Sequence, residues 1–335
     1  MSSSRPLRIG ILGAARIAPM ALIRPARKVP EVRIEAVAAR DQERAKKFAA
    51  KHEIARVFPS YDALLADPDI DAVYNPLPNS LHCKWTLRAL KAGKHVLCEK
   101  PMASNAEEAE RMADTAKREG RVLAEAFHWR YHPLSIRAQE IARSGELGRL
   151  RHVEATMCIP LPFPKDIRYR FDLAGGATMD TGCYAINMVR TLAGAEPEVV
   201  SAVARRSAPQ VDRWMRAELA FAEGMTGRIT CSLFSSTLLK ISARVVGERG
   251  ELRFFNPLAP HILGRLSVKT PTTTRRERVA GDATYTHQLR AFADWVSGGP
   301  SMPSDSADAL RNMRVIDAVY RAAGMQRRGE AEEEI

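Results

Sequence analysis

The chain of 335 residues has few cysteines, few aromatic residues and no long apolar run, and each shortage removes a class of protein. Its five cysteines, Cys83, Cys98, Cys158, Cys183 and Cys231, are odd in number, scattered and without a CxxC spacing. Neither a disulfide framework nor a zinc site is indicated, no metal is expected, and a reducing cytoplasm fits the thiols best. No apolar stretch approaches the roughly 18 residues of a membrane helix, so no membrane partner is expected. The opening Met-Ser-Ser-Ser-Arg-Pro leads within a few residues into a strand pattern and leaves no room for a signal peptide. No helix-turn-helix, zinc finger or aromatic-basic RNA motif accompanies the net charge of +12. The basic residues spread along the whole chain, which argues against a nucleic-acid partner and for an anionic ligand such as a phosphorylated cofactor. An acidic run from Glu330 to Glu334 reads as a frayed, solvated end.

What is present, 45% hydrophobic and 27% charged residues, is the composition of a globular protein. At about 150 residues per domain the length predicts two domains. Residues 1–127 alternate strand and helix patterns, with strands over 7–13, 32–38, 70–75, 96–98 and 121–125 and helices over 42–52, 60–66, 80–92 and 106–119. That is an α/β, doubly wound parallel sheet. Residues 128–335 turn to longer strands, over 151–158, 199–205, 216–221, 225–233, 241–246 and 251–255, closed by helices over 284–297 and 306–323. The second domain is therefore α+β with a large, mostly antiparallel open sheet.

Chemistry gathers where the strands of the first domain end. Gly13-Ala-Ala-Arg-Ile-Ala18 occupies the place of a dinucleotide-binding GxGxxG turn, with Ala15 and Ala18 in the second and third glycine positions. The next strand ends in Ala39-Arg40-Asp41; an arginine there suits the 2′-phosphate of NADP, whereas an acid suits the ribose of NAD. Arg40 comes first, which favours NADP, while Asp41 stands ready to turn inward. Asn75-Pro-Leu-Pro-Asn79 is a rigid loop at the same edge, followed by His82 on a helix. The strand Val96-Leu-Cys98 stops at Glu99-Lys100-Pro101, so Lys100 either faces the ligand crevice of an open sheet or is a plain surface lysine. Phe127-His-Trp-Arg-Tyr-His-Pro133 crowds aromatic and basic groups at the domain junction. Further on, Asp180, Tyr184 and Asn187 follow the pair Gly175-Gly176 at i, i+4 and i+7, one face of a helix that faces a cavity or packs in the core.

In that order these motifs resemble the glucose-fructose oxidoreductase / inositol dehydrogenase / MocA oxidoreductases across the whole chain. They look most like the branch of dimeric dihydrodiol dehydrogenases and D-xylose dehydrogenases, in which the later motif carries Tyr rather than His. The resemblance implies a Rossmann domain and an α+β domain whose open sheet often forms a dimer interface. It implies hydride transfer between a nicotinamide and the hydroxyl or carbonyl of a sugar, polyol or dihydrodiol, with NADP(H) favoured over NAD(H). Lys100 and Tyr184 would form the acid–base pair, the ammonium favouring the phenolate of a hydroxyl near pKa 10, with Asp180 beside them. Cofactor contacts would come from Gly13, Ala14, Ala15, Arg16 and Ile17, from Ala39 and Arg40, from Asn75, Pro76, Leu77, Asn79 and His82, and from Glu99 and Lys100. Arg130, Tyr131, Arg168 and Arg170 would join Tyr184 around the substrate. Relatives that are dinucleotide-binding sensors or NAD-dependent glycosidases supply the alternative readings.

Overall fold

The computed structural model describes residues 5–329, so the acidic run over 330–334 lies outside the described residues. Six strands build the first sheet: β1 (Leu7–Leu12), β2 (Val32–Ala38), β3 (Arg56–Phe58), β4 (Ala72–Asn75), β5 (His95–Cys98) and β6 (Leu123–Glu125). All pair in parallel, in the order β3-β2-β1-β4-β5-β6 of a doubly wound Rossmann sheet. The strands are apolar runs because helices cover both faces of such a sheet; Ile9, Ile11, Val37, Val73 and Val96 have no exposed surface. Strand β3 was not foreseen, since three residues carry no readable period.

The second sheet has eight strands: β7 (Leu150–Cys158), β8 (Glu198–Ala208), β9 (Val211–Ala220), β10 (Thr226–Ser232), β11 (Lys240–Gly247), β12 (Gly250–Phe255), β13 (Arg265–Lys269) and β14 (Thr274–Glu277). Their order is β14-β13-β12-β11-β7-β10-β9-β8, antiparallel except for β7 beside β10. Strand β9 begins five residues before the expected 216, because the turn between β8 and β9 is Pro209-Gln210, with φ +57° at Gln210. No Asn-Gly or Asp-Gly pair marks that turn in the sequence. The helix Cys183–Ala193 packs its apolar side on β7, β10 and β11, covering Val153, Met157, Ile229 and Val245.

By packing, the described chain forms two units that it visits more than once. Of the described residues, the first holds those up to 103, 107–128 and 285–310, and the second holds 104–106, 129–284 and those from 311 on. The sequence reading drew one boundary, after residue 127. Chain that returns to the first unit after a long excursion leaves no composition break to read. In the first unit the return is a main-chain pairing, with Glu125 N–H donating to the Ser304 carbonyl at 2.9 Å.

The amino edge of the first sheet is held by charge. Arg8 Nε and its own N–H both donate to Asp71 Oδ2, at 3.1 and 3.0 Å. Lys94, nearly buried, donates to the carbonyls of Asp67 and Ile70 at 2.6 and 2.7 Å. Burial pushes the Asp71 carboxyl up, but the bonds from Arg8 outweigh it and hold Asp71 below its ordinary 3.8. A depressed folded pKa contributes stability above the unfolded value and loses it as pH falls through the folded one. Asp71→Asn is expected to cost about 1.5 kcal/mol at pH 7, the low end for a charge-assisted bond at a partly exposed pair. In urea unfolding the parent should lose more stability between neutral pH and about pH 3 than the variant does.

Candidate active site

In a doubly wound sheet ligands bind outside the carboxyl ends of the strands, where the strand order reverses, here between β1 and β4. The chain leaves β1 at Gly13, whose φ is +94° and where a Cβ would meet Leu77 Cδ2 at 3.0 Å. Only glycine makes this exit without strain. The Gly13 N–H donates to the Ala38 carbonyl at 2.6 Å and so ties the exit of β1 to β2. Ala14 and Ala39 bury their side chains against Ala45. Ala15 and Ile17 are half-buried, and Arg16 is exposed. The helix that follows opens on a π turn over Pro19–Ile23, with the Arg24 N–H on the Pro19 carbonyl.

At the end of β2 the two charged neighbours separate by role. Both are exposed, and Asp41 also caps the helix Gln42–His52 by accepting from the Arg44 N–H at 3.0 Å. Arg44, which the sequence reading passed over, donates from Nη2 to the Ala14 carbonyl at 2.8 Å. Tyr61, also missed, hydrogen-bonds the Arg40 main chain, and burial raises its pKa.

The Asn75–Asn79 loop is knitted from within. Asn75 is buried and donates to the His82 carbonyl at 3.2 Å and to Thr86 Oγ1 at 3.1 Å. Pro76 is buried, and Leu77 and Asn79 are half-buried. His82 places Nδ1 2.8 Å from the Pro101 carbonyl and Nε2 2.7 Å from the Leu77 carbonyl, and burial lowers its pKa to about 4. Neutral at pH 7, the imidazole has one N–H and donates it to one of these two carbonyls, with its other nitrogen packed against the second. After β5, buried Glu99 accepts from the Tyr74 hydroxyl at 2.6 Å and from the Lys100 N–H at 3.2 Å. Lys100 is half-buried, and its peptide bond to Pro101 is cis. Met102 N–H donates to Glu125 Oε1 at 2.7 Å, and the His128 ring stacks on Tyr285 at 3.9 Å.

The second unit carries the remaining candidates. From Ala174 to Leu192 every residue is buried except Asp180. This stretch starts on a π turn, Thr178–Gly182, and continues as the helix Cys183–Ala193. Tyr184 keeps 5% of its surface, and Asn187 keeps none and accepts from Trp129 Nε1 at 2.9 Å. The polar face expected from the spacing is thus open at Asp180 and closed at Asn187. Arg168 pairs with Asp180 at 3.1 Å and with Asp166 at 3.1 Å, chiefly Asp180 raising its pKa. Arg170 is exposed and paired with Asp172, while Arg130 and Tyr131 are buried. Among the described residues no group of three or more His, Cys, Asp or Glu is placed to hold a metal ion.

Comparison with known proteins gives this arrangement a lineage. The description "Oxidoreductase family, NAD-binding Rossmann fold" matches residues 7–127, and the "GFO/IDH/MocA C-terminal domain" matches residues 136–253. The chain is 35% identical over 318 residues to a D-xylose 1-dehydrogenase (NADP(+)) of Haloferax volcanii, covering 95% of this chain and 97% of that one. It is 35% identical over 233 residues to the trans-1,2-dihydrobenzene-1,2-diol dehydrogenase of Bos taurus, about two thirds of each chain. The crystal structure of KijD10, a 3-ketoreductase from Actinomadura kijaniata in complex with NADP and TDP-benzene, superposes with a TM-score of 0.87 at 31% identity, covering 95% of this chain and 98% of that one. The chain accordingly belongs to the glucose-fructose oxidoreductase / inositol dehydrogenase / MocA family and is an oxidoreductase.

Proposed function

We propose that the protein is an NADP-dependent oxidoreductase that interconverts a hydroxyl and a carbonyl on a sugar-type substrate. The observation that carries the reading is the carboxyl edge of the first sheet, where Gly13, Arg40, the Asn75–Asn79 loop and Lys100 leave four adjacent strands of one unit. A dinucleotide fits that edge: the chain exits β1 at a φ of +94° that L side chains rarely adopt, and Asp41, exposed like Arg40, accepts a helix-cap bond. An arginine whose acidic neighbour is engaged in a helix cap suits a 2′-phosphate. The reading is also supported by similarity, along nearly all of each chain, to a D-xylose 1-dehydrogenase (NADP(+)) and to a 3-ketoreductase solved with NADP.

NADP, when bound, supplies the site for hydride at its nicotinamide. The protein's own share is proton transfer and orientation. Tyr184 acts as the acid–base group, its buried setting sparing it from water, and Lys100 supplies the ammonium that favours its phenolate. Asp180, half-exposed and held by Arg168, orients a substrate hydroxyl. Arg130, Tyr131, Arg168 and Arg170 complete the proposed substrate set, and Ala14, Ala15, Arg16, Ile17, Ala39, Leu77, His82 and Glu99 complete the cofactor edge. A homodimer in the cytoplasm belongs to the same reading.

Calorimetric titration with NADP⁺ and NAD⁺, followed by a nicotinamide-absorbance screen of sugars, polyols and dihydrodiols, tests the proposal. NADP⁺ should bind more tightly, and Arg40→Ala should weaken NADP⁺ about 10-fold or more while leaving NAD⁺ unchanged, the loss of a charge-assisted contact. On a working substrate, Lys100→Ala and Tyr184→Phe should each lower kcat by about 10²- to 10⁴-fold. Tight binding without turnover on any of these substrates would favour the sensor reading.

A further inference from the structure

One heavily bonded charge of the second unit lies outside the proposed catalytic and substrate sets. Asp212, on β9, has no exposed surface and accepts four hydrogen bonds. Its Oδ2 takes the Thr178 N–H and the Thr178 hydroxyl, both at 2.7 Å. Its Oδ1 takes the Tyr320 hydroxyl at 2.9 Å and Arg328 Nη2 at 3.1 Å. Arg328 is equally buried: Nε donates to the Gly175 carbonyl at 2.7 Å, Nη1 to the Gln326 carbonyl at 2.9 Å, and the Asn105 amide donates to the Arg328 carbonyl at 2.8 Å. The guanidinium lies over the Tyr320 ring at 4.0 Å and the Phe171 ring at 5.0 Å. The backbone between these groups is the Gly175-Gly176 turn. Gly176 has φ +133°, and a Cβ there would run into the Asp212 carboxylate and stand 2.8 Å from the Tyr320 hydroxyl. The Gly176 carbonyl in turn accepts the Asp180 N–H at 3.0 Å.

We propose that Arg328, acting through Asp212, is a positioning residue for the reaction: it sets the turn from which the helix bearing Asp180 and Tyr184 starts. For stability alone the ion pair is a poor device, since taking two charges out of water costs several kcal/mol and a well-packed apolar pair is often as stable. What the charges add is direction. The carboxylate holds the first helical N–H, the guanidinium holds the carbonyl three residues earlier, and glycine alone fits between, so the turn has a single arrangement. Misplacement of about 1 Å can cost about 10²-fold in rate.

The inference rests on Asp180 and Tyr184 serving the reaction as proposed above. Two variants test it, Arg328→Met and, in case that chain fails to fold, Tyr320→Phe, which removes one bond to Asp212 and keeps the ring over the guanidinium. In variants that still melt cooperatively, kcat should fall at least 10-fold for Arg328→Met and about 3-fold for Tyr320→Phe, with a displaced pH–rate profile. The NADP⁺ dissociation constant should stay within twofold, because the cofactor edge belongs to the other unit. Folded variants with parental kcat and pH profile would overturn the proposal and leave the network a structural staple. Tyr184→Phe run alongside separates the causes: if it too is fully active, the reading of the helix fails rather than the role of Arg328.

Discussion

Because β1 pairs in parallel with both β2 and β4, the chain must leave β1 and β4 in opposite directions, and no connection covers the gap between their carboxyl ends. That constraint organises the first unit. Gly13, Arg40, the Asn75–Asn79 loop and Lys100 lie far apart in sequence and leave neighbouring strands at one edge. The edge is then stiffened from below. Asn75 and Glu99 spend their polar atoms on the main chain and on buried side chains, and the His82 ring lies between the loop after β4 and the turn after β5, with one N–H for a main-chain carbonyl.

The second unit solves the same problem with a buried charge. Its helix from 183 to 193 lies in the core, where apolar packing alone tolerates small shifts along the axis. Polar anchors remove that freedom. Asp212 holds the first turn, Asn312 donates to the Cys183 carbonyl at 3.2 Å, and Arg190 makes a bidentate pair with Glu196 at 2.7 and 2.8 Å. Trp129 closes the series on Asn187. Each bond is directional, and together they define where the one half-exposed residue of the stretch, Asp180, emerges.

Most of the fold was legible because its signals are local. Apolar runs that stop at glycine or proline mark the strands of the first sheet, and Gly247-Glu-Arg-Gly250 marks the turn between β11 and β12. The misses have the same physical origin in reverse. Strands β3, β13 and β14 are three to five residues long, and the Pro209-Gln210 turn uses a left-handed glutamine that no composition rule announces. The residues 285–310 that pack with the first unit carry no mark of it, because their packing depends on chain distant in sequence.

For the site the line falls in a similar place. Gly13, Arg40 and Lys100 could be named from sequence because strand-end chemistry is a property of the neighbouring few residues. The division of labour between Arg40 and Asp41 needed the helix cap to be seen, and the closing of Asn187 needed Trp129. Arg328 and Asp212, 116 positions apart, carry no sequence signal at all. By itself the sequence determined the strands, the glycine exit and the identity of the charged groups, since these follow from residue type and near neighbours. Only the tertiary structure decided which charges are buried against one another and which stay exposed, because desolvation and hydrogen-bond geometry exist only once distant segments meet.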